Sequence, residues 1–305
     1  MPRGARTLLP TVLLSLLLGA GSAQAESRVE GGASGAPVNP CATPDPGFGA
    51  YGAWDRGVAF GQVLIDDDPA RGDTFDLIVH FHGHEAARKA FVPVGRGIVL
   101  AGIDEGTGSR AYARRFHDPK AFPKLIASIA ARVAERRGLP RARLRYLALS
   151  SWSAGYGAVR EVLERPGGYK IDAVLLLDSL YGGYADPGTQ TLEPRPLAPL
   201  FEFAERAAAG RGFWFQTYSS IRTPGYASTR EVASWLVGEL GGELRKGRRR
   251  DPLGLELIEH FDDDNLHVRG YAGEDKRAHC AHLGMLGVVV KAHLWRRWNL
   301  ASSRG

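Results

Sequence analysis

Sulfur is scarce in this chain: 305 residues carry two cysteines and two methionines. One pair of cysteines excludes a disulfide-dense scaffold and a four-cysteine zinc site. In an oxidising compartment Cys41 and Cys280 can close one very long loop, worth at most about 5 kcal/mol. Two buried free thiols satisfy the same sequence equally well. Past residue 25 there is no apolar run long enough to be a membrane span. The densest cationic run, Arg245-Lys246-Gly247-Arg248-Arg249-Arg250, has no interleaved aromatic residues. It therefore reads as a solvated surface loop rather than a contact for an anionic polymer, and nucleic acid is not indicated. There is no internal repeat.

The N-terminus has the three parts of an export signal. Arg3 and Arg6 form a basic start, Leu8 to Leu18 is a short apolar run, and Ala23-Gln24-Ala25 offers an A-x-A cleavage site. A mature chain beginning near Glu26 is expected to be secreted or periplasmic. Setting aside Arg3 and Arg6 takes two from a formal net charge of +6. The expected organisation is a signal peptide over 1–25, a Gly/Pro-rich arm over 26–55, one domain over 56–298 and a tail over 299–305. A remainder of about 280 residues suits one large domain.

Within that domain strands and helices alternate. Strands are expected at Val58–Ile65, Thr74–Phe81, Gly97–Ile103, Leu144–Ser150, Ile171–Asp178, Gly212–Tyr218, Leu255–Phe261 and Leu266–Tyr271. Helices are expected at Ala121–Arg137, Gly155–Leu163, Leu197–Ala209, Arg230–Leu240 and Lys276–Trp298. Apolar strands alternating with helices imply an α/β class with a mainly parallel central sheet and helices on both faces.

The sharpest local feature is Ser151-Trp152-Ser153-Ala154-Gly155, where a buried-strand pattern breaks into a helical one. It is close to the G-x-S-x-G turn that exposes a nucleophilic serine above a sheet. The chain must reverse within a few residues, so both flanks must be small. Gly155 meets that need, and Ser151 stands where glycine is usual. Serine is also a favoured helix N-cap, so Ser153 gains weight as a nucleophile only from partners elsewhere.

Those partners lie at other strand ends. His279 and His282 fall where the last strand runs into the last helix, and His279, nearer the loop, is the preferred base, with His282 as the alternative. Asp178 ends a nearly all-apolar strand, where an unpaired carboxylate is costly. The next strand ends in Ser219-Ser220 without an acid, which strengthens Asp178. Backbone N–H groups of Ala154, Gly83 and His84 are candidates for an oxyanion hole, each such donor being worth roughly 3 kcal/mol in a transition state. Trp152, Tyr156 and Tyr181 are candidates for the substrate pocket.

The order Ser153, Asp178, His279, with a strand running into His82-Gly83-His84 and the elbow, resembles the α/β-hydrolase superfamily over about residues 56–298. The resemblance implies a serine esterase or lipase-like enzyme without a cofactor. In it His279 takes the Ser153 proton, Asp178 orients the imidazole, and an acyl-enzyme forms and is hydrolysed. In the superfamily the acid more commonly follows the next strand, so Asp178 departs from the usual placement. The expected substrate is a small-molecule or acylated carboxylic ester; an amide or peptide bond is the alternative within the same chemistry. A different reading uses His80, His82 and His84 as zinc ligands, because alternate residues of a continuing strand share one face. A third is a non-catalytic binding member of the fold.

Overall fold

The computed structural model describes residues 38–66 and 72–299, so the signal segment and most of the tail lie outside the described residues. The eleven strands, with their observed bounds, are β1 (Gln62–Leu64), β2 (Thr74–Phe81), β3 (Ile98–Ile103), β4 (Arg143–Ser153), β5 (Ala173–Ser179), β6 (Tyr184–Asp186), β7 (Thr191–Leu192), β8 (Phe213–Tyr218), β9 (Arg245–Arg250), β10 (Glu256–Asp263) and β11 (Leu266–Tyr271). Nine form one sheet in the order β1-β3-β2-β4-β5-β8-β11-β10-β9, while β6 and β7 pair separately as a hairpin. Strands β3, β2, β4, β5, β8 and β11 run parallel, and β1, β10 and β9 add antiparallel edges.

Helices α1 (His84–Phe91), α2 (Ser109–His117), α3 (Ala121–Arg136), α4 (Tyr156–Glu164), α5 (Ala198–Ala208) and α6 (Thr229–Glu239) fill the crossovers. The last helical stretch is α7 (Lys276–Ala281), a 3-10 turn, α8 (Met285–Val289), a π turn and α9 (Trp295–Arg297). Strand periodicity divides the core. Along β2, Leu77, Val79 and Phe81 point into the layer made by α2 to α6, while Ile78 joins the layer made by α1 and the C-terminal helices. In α3, Phe122, Leu125, Ile126, Ile129 and Val133 fall on one buried face at helical spacing.

Three expectations change. The basic run is not a loop but strand β9, an edge strand whose five cationic side chains are exposed; single-sign charge on an edge disfavours pairing with another chain. The first strand shrinks to three residues because Gly61 has φ +73° and a Cβ there would lie 2.6 Å from the Gly102 carbonyl oxygen. The closing helix is not continuous. Its Gly287 approaches α1 so closely that a Cβ would lie 2.4 Å from the Ala90 carbonyl oxygen.

Residues 38–55 lie against the domain. Val38 N–H donates to the Leu253 carbonyl, and the Tyr51 hydroxyl donates to the Ile98 carbonyl. Buried Arg88 pairs with Asp45 at 2.6 Å. Cys41 and Cys280 are joined as a disulfide, with Cα atoms 6.1 Å apart. The bridge ties this segment to α7, beside His279.

Candidate active site

Strand β4 ends at Ser153, and there the backbone turns left-handed, with φ +48°. A non-glycine residue in that region is strained, and such strain is concentrated at functional sites. The turn is as tight as the sequence implied. A Cβ on Gly155 would stand 2.1 Å from the Phe81 carbonyl oxygen, so only glycine fits between the turn and β2. Ser151 is fully buried, and its hydroxyl bonds Ser179 Oγ at 2.9 Å. Ser179 Oγ also donates to the Ser153 carbonyl oxygen at 2.8 Å, fastening the turn to β5. Ser153 itself is half-buried, at the start of α4 and its positive dipole end.

Asp178 lies at the end of β5, also left-handed, with φ +44°, and fully buried. His279 Nδ1 lies 2.6 Å from Asp178 Oδ2. The Ser219 N–H and the Thr229 hydroxyl each donate to Oδ1 at 2.8 Å. Burial alone would raise the Asp178 pKa. The neighbouring imidazoles His282 and His279 and the Ser219 donor outweigh it, holding the carboxyl well below the usual carboxylate range. The strand end that lacks an acid, β8, thus contributes a donor to the acid of β5. Ser219 and Thr229 had no signal in the sequence, because their role exists only once β8 and α6 stand beside β5.

His282, the alternative base, does not bond Asp178. It is fully buried, and Nδ1 bonds Thr217 Oγ1 at 2.7 Å. Thr217 Oγ1 accepts the Asp178 N–H at 2.9 Å, so His282 supports the acid's strand end. Burial pushes its pKa down to about 4, opposed by Asp178, so it is neutral near pH 7. His279 is the histidine that the fold brings to Asp178, and it does so through Nδ1.

Opposite the elbow, His82 and Gly83 both have positive φ, +73° and +74°, and the chain turns there from β2 into α1. One oxyanion assignment is corrected: the Gly83 N–H is already donated to Asp104 Oδ1 at 2.9 Å. Gly83 instead permits the bend, and a Cβ there would lie 2.8 Å from Trp152 Cε3. The N–H of His84, first residue of α1, is among the four that a helix leaves without an intrahelical acceptor. Ala154 N–H lies in the turn directly after Ser153.

Asp104, just past β3, was not singled out in the sequence, yet it organises this loop. Besides Gly83 N–H it binds His84 Nδ1 through Oδ2 and accepts the Tyr112 hydroxyl at 3.3 Å. His82 Nδ1 bonds the same Tyr112 hydroxyl at 2.9 Å. Burial opposes ionisation of Asp104, but the bonds from His82, His84 and Gly83 hold its pKa far below the ordinary value.

The zinc reading fails on this geometry. β2 ends at Phe81 and the bend at His82 destroys the alternation that would have put three histidines on one face. His80 is fully buried, with Nδ1 on Ser150 Oγ and Nε2 on the His82 carbonyl oxygen, both at 2.9 Å. Among the described residues, no group of three or more His, Cys, Asp or Glu is arranged to hold a metal ion.

Tyr181 interacts with the Ser153 side chain, and burial together with the Asp178 charge keeps its phenol protonated. Its ring packs on Tyr156 at 5.9 Å and on Tyr226 at 5.7 Å, forming an aromatic row beside the serine. Trp152 does not extend that row: its ring stacks on His279 and His82. A cavity of about 720 Å³ lies at the same sheet edge, lined by Tyr184, Ser220, Arg222, Glu231 and Glu274 among others, but by neither Ser153 nor His279.

No protein-family model matches the chain, and no curated protein matches it in sequence. Among solved structures it is similar to TT1662 from Thermus thermophilus, at 17% identity, covering 79% of this chain and 97% of that one, with a TM-score of 0.39. It is also similar to LpqC, a poly(3-hydroxybutyrate) depolymerase from Bordetella parapertussis, at 11% identity, 75% and 82% coverage and a TM-score of 0.42. A cold-adapted esterase from an Arctic intertidal metagenomic library is similar at 18% identity, 77% and 90% coverage and a TM-score of 0.37.

Proposed function

We propose that the protein is a serine hydrolase that cleaves carboxylic esters through an acyl-enzyme on Ser153. The observation that carries the reading is the 2.6 Å bond between His279 Nδ1 and a fully buried, ionised Asp178, at the strand end beside a strained serine turn. In this reading Asp178 fixes the tautomer with a proton on Nδ1, so Nε2 is the base. Nε2 takes the Ser153 proton as Oγ attacks the ester carbonyl. The carbonyl oxygen, now negative, is stabilised by the N–H groups of Ala154 and His84 and by the dipole of α4. His279 then protonates the departing alkoxide, and water attacks the acyl-enzyme by the same route in reverse. Asp104 acts at one remove: it takes the Gly83 N–H and the His84 ring and so fixes the loop that carries the His84 N–H.

The reading is tested by hydrolysis of p-nitrophenyl acetate and butyrate beside the matching p-nitroanilides. Ester hydrolysis reduced at least 1000-fold in Ser153→Ala, and unaffected by EDTA, is the expected result. Ester hydrolysis that persists in Ser153→Ala contradicts it, and faster anilide cleavage would reassign the substrate bond.

A further inference from the structure

We propose that Trp152 is a positioning residue that locks the His279 base and the His82–Gly83 bend to the strand end carrying Ser153. The inference rests on the serine-hydrolase reading. Position 152 immediately precedes the proposed nucleophile, where a large aromatic is a candidate pocket wall. Here its surfaces are otherwise engaged. The indole ring stacks on the His279 imidazole, centroids 4.5 Å apart with 29° between planes, and its N–H donates to the His279 carbonyl oxygen at 2.9 Å. The same ring stacks on His82, at 5.2 Å and 12°, and fills the space that a side chain at Gly83 would need. One side chain thus touches the base, the oxyanion bend and, through the backbone, the nucleophile.

The base needs such a brace. His279 stands on α7, a helix of only six residues, reached through the partly exposed loop 272–275. Asp178 fixes the ring at one atom, and Trp152 supplies a second bond to the backbone and a plane against the ring. When Nε2 gains the serine proton, the imidazolium lies against an indole face, an arrangement that favours the cation. Trp152 therefore aids the proton-transfer step without touching substrate.

The stack also provides a readout that requires no substrate, because an imidazole in face contact with indole, and an acceptor on its N–H, both alter its fluorescence.

The emission of Trp152, taken at pH 7.5 as each protein minus its Trp152→Phe counterpart, is expected to change in His279→Gln, which removes the stacked imidazole, and to stay as in wild type in His84→Gln. Trp152→Phe keeps a ring and loses the N–H bond; it is expected to lower kcat about tenfold for p-nitrophenyl acetate and leave KM within twofold. Emission that is the same in His279→Gln as in wild type overturns the proposal. So does a variant that raises KM with kcat unchanged, which is the signature of a pocket wall. An emission that responds to His279→Gln in a protein whose hydrolysis does not depend on Ser153 would retain the stack and reject the hydrolase reading, so the two failures are distinguishable.

Discussion

Acid should unfold this protein chiefly through two fully buried histidines. His80 and His282 are fully buried, and burial lowers their pKa values from 6.5 to about 3 and about 4. Asp104 and Asp178, respectively, oppose those shifts without cancelling them. In the unfolded chain both rings regain a pKa near 6.5, so between about pH 6.5 and 4 the unfolded state binds more protons than the folded one. Stability therefore falls as the pH falls. At pH 5 an unfolded histidine gains roughly 2 kcal/mol from protonation that the buried ring forgoes, or about 4 kcal/mol for the pair. Partly buried His293, whose pKa burial also lowers to about 4, adds a smaller share because solvent screens it. The paired carboxylates add nothing at that pH, because their depressed pKa values defer their loss to below about 4. Urea unfolding at pH 7.5 and pH 5 should show this loss, and His282→Gln should shrink the difference by about 2 kcal/mol. Equal stability at the two pH values would refute the reasoning, since it would mean that neither ring is held neutral.

Asp178→Asn keeps an oxygen for the Ser219 and Thr229 donors but loses the charge facing His279. It should fold normally and lose about 10⁴-fold in kcat, measured with p-nitrophenyl butyrate; a loss below tenfold would remove Asp178 from the triad. Asp104→Asn should lower kcat by 10- to 100-fold with KM nearly unchanged, because it loosens the donor loop rather than the binding site; unchanged kcat contradicts that role. Replacing Cys41 and Cys280 by serine should destabilise the fold by up to about 5 kcal/mol, read as a lower urea midpoint. Because Cys280 adjoins His279, the same variant should also lower kcat at temperatures where it remains folded.

Of the residues proposed for the site, Ser153 and Asp178 stand at strand ends and His84 just past one, and they were legible because an apolar run ending in a polar residue marks a strand's C-terminal end. His279 lies farther on, in α7, and was legible from the histidines that follow the last strand. Asp104 also follows a strand, but its partners Gly83 and His84 lie about twenty residues upstream, and only the pairing of β2 with β3 brings them together. Gly83 shows the opposite limit. The glycine suggested close backbone approach, and the structure uses its positive φ instead while Asp104 takes the N–H. Helices α1 and α2 went unread because charged residues dilute their apolar faces; α2 buries only Tyr112 and Phe116 in nine residues. β9 has no apolar alternation at all and is a strand only by its ladder with β10. Trp152 was legible as important but not in its role, since the stack on two histidines is set by tertiary packing.

The central claim is that Ser153 is an activated nucleophile. Covalent labelling with a fluorophosphonate, located by mass spectrometry of the digested protein, tests it without knowledge of the substrate. The account predicts one adduct, on Ser153, that disappears in Ser153→Ala and slows sharply in His279→Gln. A well-folded wild-type protein that takes no label, or that is labelled equally on another serine, would contradict it.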